Sequence, residues 1–200
     1  MLQRMRFLVR TAVLGLAAVL LVSCRTGTGK PAADRLEPRV VHQISGAALS
    51  NLSYILTDPL VRSRLVENDQ NFSIKLRNGN GILLPGDNNF ENVTLMADRT
   101  VYGDVTEDGQ EDAVTMLKIS GATGEPVLEI AVVSDAGGKA VQVGSFSLGR
   151  AELNRLWVSD GKIHVNFFQR LKGDPGPRNT EITLAIAKTG SGELKHERKP

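Results

Sequence analysis

Disulfide bonds are the first thing this chain of 200 residues does without: its single cysteine, Cys24, has no partner within the chain. Whatever holds the fold together is therefore noncovalent, and Cys24 must serve some other end. Long apolar runs are also missing. The apolar stretch from Thr11 to Val22 covers only 12 residues, whereas a helix needs about 20 to cross the hydrocarbon core of a bilayer. No segment repeats at a fixed period, which excludes solenoids and propellers. Histidine is scarce, with His42, His164 and His196 far apart in the sequence. No low-complexity block interrupts the chain.

What is present begins with an export signal. Arg4, Arg6 and Arg10 give a positive start, the apolar run follows, and Ser23-Cys24 closes it. The signal, residues 1–23, holds three of the 24 basic residues and none of the 22 acidic ones, so the remainder carries 21 against 22, a formal charge of −1. The basic character of the whole chain thus belongs to targeting, and no nucleic-acid footprint is left. Residues 24–38 are small and polar, punctuated by Gly27, Gly29, Pro31 and Pro38, and read as a flexible tether spanning roughly 20 Å. Residues 39–200 suffice for one domain with its own core.

That domain is expected to be mainly β, an antiparallel meander sheet or sandwich with one or two short N-terminal helices; an α+β arrangement is the alternative. Phe72, Ile74 and Leu76 alternate with polar residues ahead of an Asn78-Gly79 turn, and Leu128, Ile130 and Val132 alternate with Glu129 and Ala131. Gly137-Gly138 and Asp160-Gly161 separate further strand-like runs, and Ile182, Leu184 and Ile186 share one face of a last strand. Period-2 patterning of this kind predicts a sheet with one face buried and the other wet. Ala47 to Leu56 is compatible with helix or strand, and Asp58-Pro59 is an N-cap with proline at the first helical position, opening a turn through Val66.

One constellation carries chemistry. Five of the nine residues from Asp104 to Asp112 are acidic, a crowding that costs energy unless a cation neutralises it or the side chains splay into water. Asp104, Thr106 and Asp108 recur at every second position, Gly109 permits a sharp turn, Gln110 can offer its carbonyl, and Asp112 can close the ring. Short Ca²⁺ loops gather hard oxygen ligands in this order, so these five residues are the expected ligands, with Glu107 and Glu111 facing solvent. Thr106 stands where Asp or Asn is usual, and position 12 of the loop is Thr115, without the bidentate Glu of an EF-hand. The alternative is a solvated acidic turn whose Asp104 and Asp108 cap nearby backbone N–H groups.

Two resemblances follow from these residues. Leu21-Val22-Ser23-Cys24 resembles the lipobox of bacterial lipoproteins, which implies acylation of Cys24 as the mature N-terminus and a membrane anchor of several acyl chains, firm where one chain alone is reversible. Arg25 in place of Asp after the cysteine implies, by the same resemblance, the outer membrane facing the periplasm. The acidic loop looks like the strand-flanked D-x-D-x-D-G-x-x-D loops of integrin-type propeller blades. The order of features over residues 50–190 is similar to exported bacterial proteins without an assigned activity that carry a single Gly-Asp-x-Asn-x-Asp-Gly-x-x-Asp-Ala loop. Gly103 to Ala113, Leu148-Gly149, Trp157 to Phe167 and Gly173-Asp174-Pro175 carry that likeness.

Other candidates are weak. Ser147 lacks the first glycine of a G-x-S-x-G elbow, and Gly27-Thr28-Gly29-Lys30 has the residue types of a phosphate loop without its spacing. His164 falls on the wet face of its strand, Trp157 reads as core or hairpin packing, and Asp174 sits in turn composition. The sequence therefore reads as a non-enzymatic, calcium-stabilised envelope lipoprotein, a structural or interaction module with a possible envelope protein as partner. An enzyme, or a small-ligand binding protein with a site formed only in the fold, is the alternative.

Overall fold

The computed structural model describes residues 41–63, 72–83, 91–121, 125–169, 176–186 and 194–197. The signal, Cys24, the tether, Val66 and Gly173-Asp174-Pro175 lie outside the described residues. No helix among the described residues is long and apolar enough to cross a membrane.

The domain is mainly β, and its sheets are antiparallel throughout. The stretch compatible with helix or strand is both in turn: helix α1 (Gly46–Ser50) is followed directly by strand β1 (Ser53–Ile55). Ser45 caps α1 by accepting the Ala48 N–H, and Tyr54 donates its hydroxyl to the Leu49 carbonyl at 2.9 Å, tying strand to helix. Burial holds the Tyr54 phenol well above its usual range. Helix α2 (Pro59–Arg62) begins as its sequence dictates, with the Asp58 carboxylate accepting the N–H groups of Leu60 and Val61.

Strand β2 (Ser73–Lys75) pairs with β1 in a small two-stranded sheet. The Asn78-Gly79 turn forms, with φ of 51° and 80°, but only the single bridge Arg77–Asn80 closes it. The chain then leaves for the main sheet through β3 (Asn80–Leu83) and β4 (Glu91–Leu95), a 3₁₀ turn (Ala97–Arg99) and β5 (Val101–Gly103). Next come β6 (Asp112–Gly121), β7 (Val127–Asp135), β8 (Ala140–Ser159), β9 (Lys162–Gln169), β10 (Arg178–Ile186) and β11 (Leu194–Glu197). Spatial order is β11-β10-β9-β8-β7-β6-β4-β3, with β5 pairing to β6 beside β4. This is a meander whose hairpins turn where the glycines are: Gly137 and Gly138 have φ of 66° and 86°, and Asp160 and Gly161 have 52° and 69°. Positive φ at both central residues matches the twist of the flanking strands.

Residues 140–159 form a single strand, 20 residues long. Its first half pairs with β7 and its second half with β9. Gly149, at φ 64°, stands near the change of partner, where an L side chain would be strained.

The expectation of one wet face fails at the centre of the sheet. Residues 113, 117 and 119 of β6 and 127, 131 and 133 of β7 enter one apolar core, completed by Leu49, Tyr54, Leu56, Val61 and Ile74 from the N-terminal elements. Residues 114 and 116 of β6 and 128, 130 and 132 of β7 enter a second core with Leu156, Ile163, Val165, Phe167 and Leu184. The sheet folds back over its own middle on one side, and the N-terminal layer covers the other. Central strands in such a position are apolar at nearly every residue, as in β7, where only Asp135 escapes full burial.

Candidate functional site

The acidic loop joins β5 to β6 at the sheet rim. Its organising residue is Asp104, whose Oδ1 accepts the Asp108 N–H at 3.1 Å and whose Oδ2 accepts the Gly109 N–H at 2.9 Å. Asp108 in turn accepts the Gln110 N–H on Oδ1 at 2.8 Å. Two residues pay for the tightness of the turn, Glu107 at φ 58° and Gly109 at φ 84°. Asp104 and Thr106 are half-buried, while Asp108 and Gln110 are exposed.

Asp112, expected to close the ligand ring, is engaged in the fold instead. It is 1 % exposed. Its Oδ2 accepts the N–H groups of Val105 and Thr106 and the Thr106 hydroxyl, at 2.9, 2.9 and 3.0 Å, and its Oδ1 accepts the Ser134 hydroxyl at 2.5 Å. A carboxylate with four donors is well compensated for leaving water, and here it anchors the loop to β7. The Asp104 and Asp108 carboxylates thus each accept N–H groups of the loop, Asp104 half-buried and Asp108 exposed, while Asp112 is buried. No three carboxylate, histidine or cysteine side chains among the described residues converge closely enough to hold a metal ion. Of the five expected ligands, Asp104 accepts N–H groups on both carboxylate oxygens, Asp108 accepts one on Oδ1, and the Thr106 hydroxyl donates to Asp112.

Glu107 is exposed as expected, but Glu111 is not free. The His42 ring stacks on Tyr102, with centroids 3.5 Å apart and planes 4° from parallel, and its Nδ1 lies 3.0 Å from Glu111 Oε2. Burial, and secondarily the Glu111 charge, raise the Tyr102 phenol above its usual range. Gln43 adds bonds to Gln110 and Asp135, both at 3.0 Å. The chain entering the domain is thereby strapped across the loop. Sequence reading left His42 without a role, because its partners lie 60 and 69 residues away.

A second polar cluster went unread. Glu129, expected on a wet face, is fully buried in the row Val127, Glu129, Ala131, Val133 against the N-terminal layer. The link between β1 and α2 reaches it with donors that have no strand to pair with: Thr57 N–H at 2.6 Å, Thr57 hydroxyl at 2.8 Å and Asp58 N–H at 3.3 Å. Desolvation pushes the Glu129 carboxyl up to about 7, against the opposing pull of these donors. The neighbouring Asp58 is 1 % exposed and accepts the Ser147 hydroxyl. Ser147 also accepts the Gly149 N–H at 2.9 Å, so its hydroxyl links the Asp58 carboxylate to the backbone of β8. The sequence signal for this cluster was available: three of the four residues in the Glu129 row are apolar.

His164 and Trp157 face each other across the β8–β9 hairpin, stacked with centroids 5.1 Å apart, and Arg155 lies over the indole at 4.8 Å. His164 bonds to Ser159 at 3.0 Å and Thr183 at 3.2 Å, so both ring nitrogens are engaged on the sheet surface. Among the described residues, open cavities border the domain, two of them of similar size. One of about 540 Å³ mixes Lys118, Arg150, Glu125 and Glu152 with apolar Leu128 and Phe168; the other, of about 550 Å³, runs beside β8. Neither is lined by His164 or the acidic loop. Comparison of the chain with protein families, with curated proteins and with solved structures returned no match.

Proposed function

We propose that this chain is an exported lipoprotein of the bacterial cell envelope, acylated at Cys24 and held at the outer membrane facing the periplasm. Its β domain serves as a structural or interaction module that calcium stabilises at the 104–112 loop. The anchor rests on the placement of the only cysteine directly after a signal of the right length and composition. Changing Cys24→Ala is expected to abolish labelling by radioactive palmitate and to move the protein from the membrane to the soluble fraction; labelling that persists would refute acylation at this residue.

The observation that carries the calcium part is the folded state of the loop. Asp104 accepts the amides of residues 108 and 109, and this turn is rich in carboxylates of like charge. A cation there relieves repulsion that water alone screens, while Asp112 holds the turn from below. For a Kd near 10⁻⁵ to 10⁻⁴ M and calcium at about 1 mM, saturation stabilises the domain by roughly 1.4 to 2.7 kcal/mol, or about 3 to 10 °C in Tm for a domain of this size. Melting the protein in calcium and in chelator measures this directly, and Asp104→Ala or Asp108→Ala should erase the difference. Identical melts for the unaltered protein would leave the loop a self-capped acidic turn.

A further inference from the structure

The corner between β2 and β3 carries the dipeptide Asn-Gly twice in succession, as Asn78-Gly79 and Asn80-Gly81. Asparagine before glycine is open to attack by its own backbone, because glycine puts no Cβ in the way of the following amide. The glycine nitrogen, having given its proton to water or hydroxide, adds to the asparagine Cγ. The Cγ–Nδ2 bond then breaks, and ammonia leaves with a proton returned from solvent. Water opens the resulting cyclic imide at either carbonyl, giving aspartate in one case and, in the other, isoaspartate, whose main chain runs through Cγ.

The fold treats the two sites differently. Gly81 lies opposite Val93 in the β3–β4 ladder, and the Leu95 N–H bond to the Gly79 carbonyl marks that phase of the ladder as the hydrogen-bonded one, so the Gly81 amide is engaged in the sheet. The Asn80 carboxamide is held at both ends as well: Nδ2 donates to the Asn78 carbonyl at 3.2 Å, and Oδ1 accepts the Thr94 hydroxyl at 3.3 Å. Asn78 is exposed, with its backbone in the left-handed region at φ 51°. What guards it is the bond from the Gly79 N–H to the Ser50 carbonyl at 2.8 Å, which holds the very proton that has to leave. Asn51 Oδ1 steadies the same corner by accepting the Asn78 N–H at 3.2 Å, and the bridge Arg77–Asn80 closes it. Contacts of this irregular, exposed kind open locally at lower cost than a strand ladder does.

We propose that Asn78 is a site of spontaneous deamidation in the folded protein, reached when this corner opens locally, and that Asn80 converts only after β3 parts from β4. The effect reaches past one residue. Buried Gly79 joins the N-terminal layer to the main sheet, with its N–H on Ser50 of α1 and its carbonyl on the Leu95 N–H of β4, both at 2.8 Å. An isoaspartate at 78 puts one more carbon into the main chain directly before that joint, so Gly79 no longer meets both partners. Ageing of the molecule thereby acts on the contact between its two layers. This inference rests on neither the lipid anchor nor the calcium loop.

The test incubates the full chain in mildly alkaline buffer, with and without urea, and follows each asparagine by mass spectrometry of the digested protein, where conversion adds about 1 Da. Synthetic peptides bearing aspartate or isoaspartate at 78 identify the products by co-elution. In the folded protein Asn78 should convert several-fold faster than Asn80, yet about tenfold or more slower than in urea, where the two convert alike. Asn51→Ala, checked for folding by circular dichroism, should speed conversion of Asn78 and leave Asn80 unchanged. Protein carrying isoaspartate at 78, separated by its added negative charge, should melt below the parent. The proposal is overturned if Asn78 converts equally fast folded and in urea, if Asn80 keeps pace with it in the folded protein, or if folded Asn78 stays intact while the urea sample converts fully. A folded Asn51→Ala protein with the parent rate would likewise overturn the local route, and an unchanged melting temperature after conversion would overturn the effect on the joint.

Discussion

Glu129 shows how one residue reconciles two layers that cannot hydrogen-bond as strands. The link between β1 and α2 brings the N–H groups of residues 57 and 58 against an apolar sheet face, and a buried donor without an acceptor costs about 1 to 3 kcal/mol. A carboxylate rising from β7 satisfies both, and the Thr57 hydroxyl as well. Glu129→Ala is accordingly expected to destabilise the domain by roughly 2 to 4 kcal/mol, read as a lower midpoint in urea at unchanged slope. The pH dependence has a definite sign. Because burial holds the folded carboxyl at about 7 against an ordinary 4.5, the folded state keeps its proton over a range where the unfolded chain has lost it. The contribution is complete below pH 4.5, declines as pH rises through 7, and is constant above. Glu129→Gln removes that decline while its oxygen can keep the two Thr57 bonds, so comparing urea midpoints of the two proteins at pH 5 and pH 8 isolates the effect; parallel pH profiles would show that Glu129 does not titrate in this window.

At the scale of elements, the close approach of β5 and β8 is the sharpest constraint. A Cβ on Gly103 would stand 2.6 Å from Val158 Cγ1. Gly103→Ala is expected to cost about 1 to 3 kcal/mol through overpacking, and the double change with Val158→Ala should recover part of that loss. A double-mutant cycle on thermal or urea midpoints reads the coupling, and strict additivity would mean the strands part without penalty. The turns of this sheet were plain in the sequence because their chemistry is local: Gly137-Gly138 and Asp160-Gly161 are where backbone sterics allow positive φ. The Asp58 cap was plain for the same reason. Partner choice across space was not. The Asn78-Gly79 turn is real, yet β2 and β3 go to different sheets, a decision made by packing against β1 and β4. Within the acidic loop, spacing announced the turn at Asp104 and Asp108 but could not say that Asp112 points inward, since that depends on Ser134, 22 residues away.

For the molecule as a whole, the misread quantity was the number of wet faces. Alternation along β6 and β7 is weak because both sides of these strands are covered, one by apolar residues within 44–61 and 74–76 and the other by the folded-back half of the sheet. Glu129 and Thr115, polar in sequence, are fully buried by that arrangement. The same geometry predicts that the domain unfolds in one step. Neither core owns its strands, so loss of either strips β6 and β7 of half their burial. Coincident transitions by far-ultraviolet circular dichroism and by Trp157 fluorescence are the expected outcome, and two separated midpoints would show that the N-terminal layer melts independently.

Continuity of β8 carries a last consequence. Its 20 residues serve two sets of neighbours in succession, much as a single beam passes through two rooms, so no cut in the chain divides this domain into parts that could fold apart. Any expression of a fragment ending between Gly144 and Leu153 would leave one room without its wall.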